Sequence, residues 1–310
     1  MILRSLLLFP LLFTFLGCQD DDDFVEILNR NEPDDVPGLN WVEAEDGGLN
    51  EIYDSLVTSL TANPNISIVA EVDHARNAST TGASLRATRV VMFGNPALGT
   101  PLMQVNPQAG LDLPQKMLVY LEDDDDVIVA YNTPEYLANR HGLGSAATLG
   151  QIGTALRNLA TSAGGDGVET GESANEIELN EGVTSYSAAG SVDSVYMNLR
   201  SAIAGNSALT IVAELDHQAN AASVNMELPP IRLIVFGNPN LGTPLLLEEQ
   251  SIGIDLPQKM LVYESAAGEV TIAYNDPFFL ADRHDVDGDL PQLSTISDAL
   301  EGLARGALGL

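Results

Sequence analysis

The stretch FGNPALGTPL, residues 93–102, returns as FGNPNLGTPL at residues 236–245. The second copy begins 143 positions after the first, from Phe93 to Phe236. The same interval carries AEVDH at 70–74 onto AELDH at 213–217, and DLPQKMLVY at 112–120 onto the identical string at 255–263. It also carries VAYN at 129–132 onto IAYN at 272–275, and Arg140-His141 onto Arg283-His284. No gap is needed from Ile52, matched to Val195, through His141. A one-residue insertion near 285–289 then restores the match of Ile152 with Ile296 and of Leu156 with Leu300. Two long copies make a tandem pair of modules; a solenoid needs several short repeats.

Within each copy the apolar positions set the elements. Residues 49–60 and 192–203 have helical spacing, whereas ISIVAEVDH and LTIVAELDH alternate as strands. RVVMFG and RLIVFG read as strands buried on both faces, and the Asn-Pro that follows begins a turn. The GTPL segment is expected to open a helix, with Thr100 and Thr243 as caps and Pro101 and Pro244 in the first turn. QKMLVY and VIVAYN predict a hairpin across the acidic turn 122–126, TPEYLANRH and DPFFLADRH predict short helices, and an amphipathic helix closes each copy. The fold class is α+β: two tandem modules, each a mostly antiparallel sheet with packed helices.

The pattern FGNP-x-LGTPL, DLPQKMLVY, AYN-x-P and LA-x-RH resembles the bacterial domain of unknown function family 302 over nearly all of both copies. The resemblance implies a fold like one half of the TATA-box-binding protein and a tendency of modules to pair, here as an intramolecular pseudo-dimer. It brings no activity, cofactor or catalytic residue.

Around the modules the sequence predicts a signal peptide at 1–18, an acidic tether at 19–41, modules at 42–160 and 184–310, and a flexible Gly/Ser/Glu-rich linker at 161–183. The apolar run at 6–16 is too short to span a bilayer. Cys18, the single cysteine, follows Gly17 at its end. This resembles a bacterial lipoprotein signal, although Phe15 and Leu16 depart from the commonest residues of that motif. The expectation is a lipid anchor on Cys18 and a place in the cell envelope as an outer-membrane lipoprotein. QDDDD at 19–23 resembles the surface-export tag of lipoproteins in the Bacteroidota and reads equally as a solvated spacer. With 13 Lys plus Arg against 44 Asp plus Glu, a formal charge of −31, the chain is repelled by phosphates, and no nucleic-acid partner is expected.

The four histidines and two lysines all fall at equivalent positions: His74 with His217, His141 with His284, and Lys116 with Lys259. Arg140 and Arg283 match as well. His74 shares the apolar face of its strand and reads as a core histidine on a backbone carbonyl, or as a metal or acid–base group. His141 and Arg140 read as helix C-terminal caps. Lys116 points inward with Leu118 and Tyr120 and needs an acid, with Glu71, Asp73 and Asp112 as candidates. No phosphate loop, HExxH, cysteine zinc site or GxSxG elbow is present. The leading expectation is a small-molecule or ion binding module without catalysis, using these eight residues. The alternatives are a metal- or haem-dependent enzyme or redox protein on His74, His141, His217 and His284, and a structural envelope component. The sequence names no cofactor.

Overall fold

Leu49, Ile52, Leu56 and Leu60, spaced three and four apart, bury one stripe of helix α1 (Leu49–Ala62). Val192, Val195, Leu199 and Ile203 bury the matching stripe of α6 (Val192–Ala204). In the computed structural model, residues 33–310 are described except Glu45 and Asp123, and 33–310 form one compact unit. The signal segment, Cys18 and QDDDD lie outside the described residues.

The first module runs β1 (Leu39–Glu43), α1, β2 (Ser67–Asp73), α2 (His74–Thr80), β3 (Thr88–Gly94), α3 (Pro96–Val105), a 3₁₀ turn at Pro107–Leu111, β4 (Gln115–Leu121), β5 (Val127–Asn132), α4 (Pro134–His141) and α5 (Leu149–Gly164). A short strand β6 (Val168–Thr170) follows. The second module repeats the order as β7 (Val183–Ala188), α6, β8 (Thr210–Asp216), α7 (His217–Ser223), β9 (Ile231–Gly237), α8 (Pro239–Glu248), a 3₁₀ turn at Gln250–Ile254, β10 (Gln258–Glu264), β11 (Val270–Asn275), α9 (Pro277–Arg283) and α10 (Pro291–Leu308). The sheets are ordered β2-β3-β4-β5-β1-β6 and β7-β11-β10-β9-β8. Every pairing is antiparallel, with Val90 opposite Leu118 and Leu233 opposite Leu261. The α+β class and the tandem organisation are therefore as the sequence predicts.

Strand alternation divides each sheet between two environments. Val91, Met117 and Val129 pack with the helices of their own module. Val90, Leu118, Tyr120, Ile128 and Ala130 turn the other way and pack against Ile254, from the second module's 3₁₀ turn. Reciprocally, Leu233, Val235 and Leu261 share a core with Ala109 and Leu111 of the first module's turn. Each module thus tucks its 3₁₀ turn under the other's sheet, a self-complementary contact of the kind that a two-fold interface requires. Backbone approach is close there. A Cβ on Gly110 would stand 2.9 Å from Leu261 Cδ1, and one on Gly253 would stand 3.0 Å from Leu118 Cδ1.

Several sequence expectations need correction. The tether drawn at 19–41 overlaps the folded body, because β1 begins at Leu39 and buries Trp41. The stretch 161–183, read as flexible, has defined partners: α5 continues to Gly164, and β6 pairs with β1 through Asn40–Thr170 and Val42–Val168. Its few apolar residues hid this, since the pairing is made by backbone. Gly182, with φ +60°, passes the Phe279 ring where a Cβ would lie 2.0 Å from Cγ, so only glycine fits. The helix after FGNP starts earlier than expected. Asn95 and Asn238 accept from the N–H groups of Ala97 and Asn240, and Pro96 and Pro239 take the first helical position. Thr100, Pro101, Thr243 and Pro244 consequently lie inside α3 and α8.

Candidate functional site

At the module interface two aspartates organise the buried cations. Asp112 accepts from Arg140 Nη1 at 2.7 Å, from His141 Nε2 at 2.7 Å, and from Lys259 Nζ of the other module at 3.3 Å. Asp255 does the same with Arg283 Nη1 at 2.6 Å, His284 Nε2 at 3.2 Å and Lys116 Nζ at 3.1 Å. Burial alone would raise both carboxyl groups, but Arg140 and Lys259 hold Asp112, and Lys116 and Arg283 hold Asp255, well below the usual carboxylate range. Burial lowers His141, and lowers His284 to about 4, so the aspartate bonds are made by neutral imidazoles. Lys259 is lowered by burial first and by the Lys116 cation second.

The arginines reach across as well. Arg140 donates to the Glu181 and Gly182 carbonyls, and its Cζ lies 4.9 Å from the Phe279 ring centroid. Arg283 donates to Pro37 O and Asn132 Oδ1 and stands 4.0 Å over Tyr136. The expected acid for Lys116 was Glu71, Asp73 or Asp112. The structure supplies Asp255, the counterpart of Asp112 from the other copy. Likewise Arg140 and His141 do more than cap a helix; they anchor Asp112, and Arg140 also donates to carbonyls of the segment that leads into the second module. These six basic side chains are engaged by the two aspartates, and neither lysine lines either of the two cavities described below.

His74 follows a different path. It is the first residue of α2 rather than the last of β2, because Asp73 turns the chain by accepting from Arg76 N–H at 2.8 Å. Its ring donates from Nε2 to Gly253 O at 3.2 Å, across the interface. His217 Nε2 approaches the Gly110 carbonyl without closing a well-formed hydrogen bond. Burial lowers both to about 4, so both rings are neutral near pH 7.

Each of these histidines lines a cavity whose other walls belong to the opposite module. The first cavity, about 410 Å³, has Phe93, Asn95 and Thr100 of the repeated string, Gln115, and Leu156 of α5 on one side. Glu214, Asp216, His217 and Asn220 of the second module close it. The second cavity, about 880 Å³, has the equivalent Phe236, Asn238, Thr243, Gln258 and Leu300, closed by Glu71, Asp73, His74 and Asn77. The string that repeats so conspicuously is therefore cavity wall. Several buried polar atoms of these walls have no partner: Thr100 Oγ1 and Gln115 Nε2 in the first cavity, and Gln258 Nε2 in the second. Unpaired buried polar atoms are uncommon, and these three face cavities large enough to admit further hydrogen-bonding groups.

Sequence reasoning missed Thr100, Gln115, Gln258 and the two asparagines. The available signal was the identity of FGNP-x-LGTPL between copies, which a purely packing role does not demand. Among the described residues, no group of three or more His, Cys, Asp and Glu side chains is arranged to hold a metal.

A family profile described as Domain of unknown function DUF302 matches residues 42–160 and 183–303. Fluoride-specific ion channel FluC 1 of Brucella suis biovar 1 (strain 1330) is 42% identical over 76 residues, 24% of this chain and 30% of the channel. Fluoride-specific ion channel FluC 2 of Brucella melitensis biotype 1 is also 42% identical over 76 residues, 28% of that protein. The chain thus spans less than a third of the length of these curated relatives. The crystal structure of uncharacterized conserved protein DUF302 from Bacillus stearothermophilus is 16% identical, covering 42% of this chain and 97% of that one with a TM-score of 0.33. The two profile matches take in both repeats almost end to end, and the chain belongs to the DUF302 family as a tandem pair of its domains.

Proposed function

We propose that this chain is a non-catalytic binding protein that holds one small molecule in each of two related cavities at the module interface. The observation that carries this reading is the unpartnered, buried Thr100, Gln115 and Gln258 atoms on largely apolar walls. Such a wall takes an apolar body with a few hydrogen-bonding groups. The charged network around Asp112 and Asp255 has a different part: it holds the two modules in the register that closes both cavities.

The test uses N-phenyl-1-naphthylamine, a neutral fluorescent probe, titrated into the chain beginning at Gln19. Two equivalents are expected. Gly99 and Gly242 line the two cavities on α3 and α8, where a Cβ meets only ordinary contacts at 3.6 Å and 3.8 Å. Gly99→Leu and Gly242→Leu should therefore each remove one equivalent while leaving the helices intact. Binding unaffected by both substitutions would defeat the proposal.

The metal- or haem-dependent alternative has less support, since all four histidines are buried at 4% exposure or less. Among the described residues, no helix is long and apolar enough to cross a membrane.

We also propose that the protein is an envelope lipoprotein anchored through Cys18, on the strength of its N-terminal sequence. Mass spectrometry of the mature N-terminus tests this: a diacylated or triacylated Cys18 is expected, and an unmodified Met1 refutes it.

A further inference from the structure

The two cavities share a plan but differ in three ways. The second is about twice as large, 880 Å³ against 410 Å³. Its extra length runs along α10, where Gly302 and Gly306 line it and where Cβ atoms would meet open space. The equivalent positions on α5 are Asn158 and Ser162. The second cavity is also lined by Arg76, whose counterpart across the repeat is Ala219.

The charges on the walls have definite partners. In the first cavity, Glu214 accepts from Tyr196 Oη at 2.6 Å and Arg200 Nε at 2.8 Å, and Asp216 is paired with Arg232. In the second, Glu71 accepts from Tyr53 Oη at 3.0 Å and Asp73 pairs with Arg89 at 3.4 Å. Arg76, exposed at the rim, has no ion-pair partner among the described residues. On the same cavity's wall, Gln258, 8% exposed, offers an Nε2 donor that nothing accepts. Both unmet groups are hydrogen-bond donors, and one is a cation. Leu209, Val212, Leu246, Leu300 and Leu303 supply an apolar stretch of the same wall.

Resting on the binding reading above, we infer that the second cavity has diverged to take an amphipathic monoanion: an elongated apolar body ending in a carboxylate or a similar anionic acceptor. The head group meets Arg76 and Gln258, and the body lies along α10 over Gly302 and Gly306. The first cavity, smaller and without an unpaired charge, takes a neutral molecule.

The experiment uses a dansyl-labelled undecanoic acid with the chain beginning at Gln19, at ~0.15 M salt so that the net charge is screened. Decanoate and decanol serve as competitors of equal length. One equivalent of probe should bind. Decanoate should displace it at least about tenfold more effectively than decanol, as a single charge-assisted hydrogen bond implies. Arg76→Ala should abolish that discrimination, Gly302→Leu should weaken probe binding, and Gly99→Leu should leave both unchanged. Equal competition by decanoate and decanol, or discrimination that survives Arg76→Ala, overturns the inference. If the neutral naphthylamine still binds in a Gly242-sensitive way under that outcome, the binding reading stands and only the anionic specificity falls. If neither probe binds, both fall.

Discussion

Replacing Asp255 by asparagine should destabilise the whole paired unit. The side chain is fully buried and accepts from Lys116 on Oδ1 and from Arg283 and His284 on Oδ2. Asparagine keeps the shape but has one accepting oxygen, so in either orientation its amide N–H₂ faces a donor. The substitution also leaves Lys116 and Arg283 as buried cations without their counter-ion. Removing one partner of a buried ion pair costs about 3–5 kcal/mol. At roughly 2 cal/mol/K of unfolding entropy per residue, the loss lowers the midpoint of a unit of this size by about 5–9 °C. Differential scanning fluorimetry reads the shift directly. Because Lys116 belongs to the first module and Asp255 to the second, the reasoning has a sharper consequence. Asp255→Asn combined with Lys116→Met should be less destabilised than Asp255→Asn alone, since the second change removes a cation that the first has orphaned. A midpoint within about 1 °C of the parent for Asp255→Asn, or simple additivity in the double variant, would refute the role assigned to this network.

The pH dependence has a definite sign. His74, His217 and His284 titrate at about 4 in the fold, all through burial, against about 6.5 in an unfolded chain. Between those values the unfolded chain binds more protons, so stability is full above about 6.5 and falls steadily toward 4. The carboxylates of Asp112 and Asp255, held below their ordinary range, lose their contribution only under about pH 4. Thermal midpoints between pH 8 and pH 4.5 at ~0.3 M salt should show this fall, and a flat profile would contradict the buried neutral state. Gly253→Ala should cost about 1–3 kcal/mol, because its Cβ would press on Leu118, Leu246 and His74 at 3.0–3.4 Å. Chemical denaturation reads the effect, and a neutral result would show that the 3₁₀ turn is not closely seated.

Much of the fold was legible because each element appears twice. A strand ambiguous in one copy is supported by its counterpart, and the inward face of Lys116 follows from its alternation with Leu118 and Tyr120. The kind of partner that Lys116 needs was legible as well. Which copy supplies it was not: DLPQK occurs identically at 112–116 and 255–259, and only the pairing of modules decides between Asp112 and Asp255. The same ambiguity hid the cavities. His74 and the FGNP string adjoin different walls of different cavities, so no spacing within one copy relates them. The strand reading of His74 failed for a local reason, since Asp73 caps α2 and ends β2 one residue sooner.

The exchange of 3₁₀ turns beneath opposite sheets also changes how the assembly responds to dilution. Two separate copies joined in this way would obey mass action and come apart as their concentration fell. Here both partners lie on one chain, and the connecting segment, pinned by β6 against β1, keeps each in the other's neighbourhood at an effective concentration in the millimolar range or above. Cavities that need walls from two domains therefore persist in a solitary molecule. With no symmetry operator obliging every substitution to occur twice, one cavity can carry Arg76 while its twin carries Ala219.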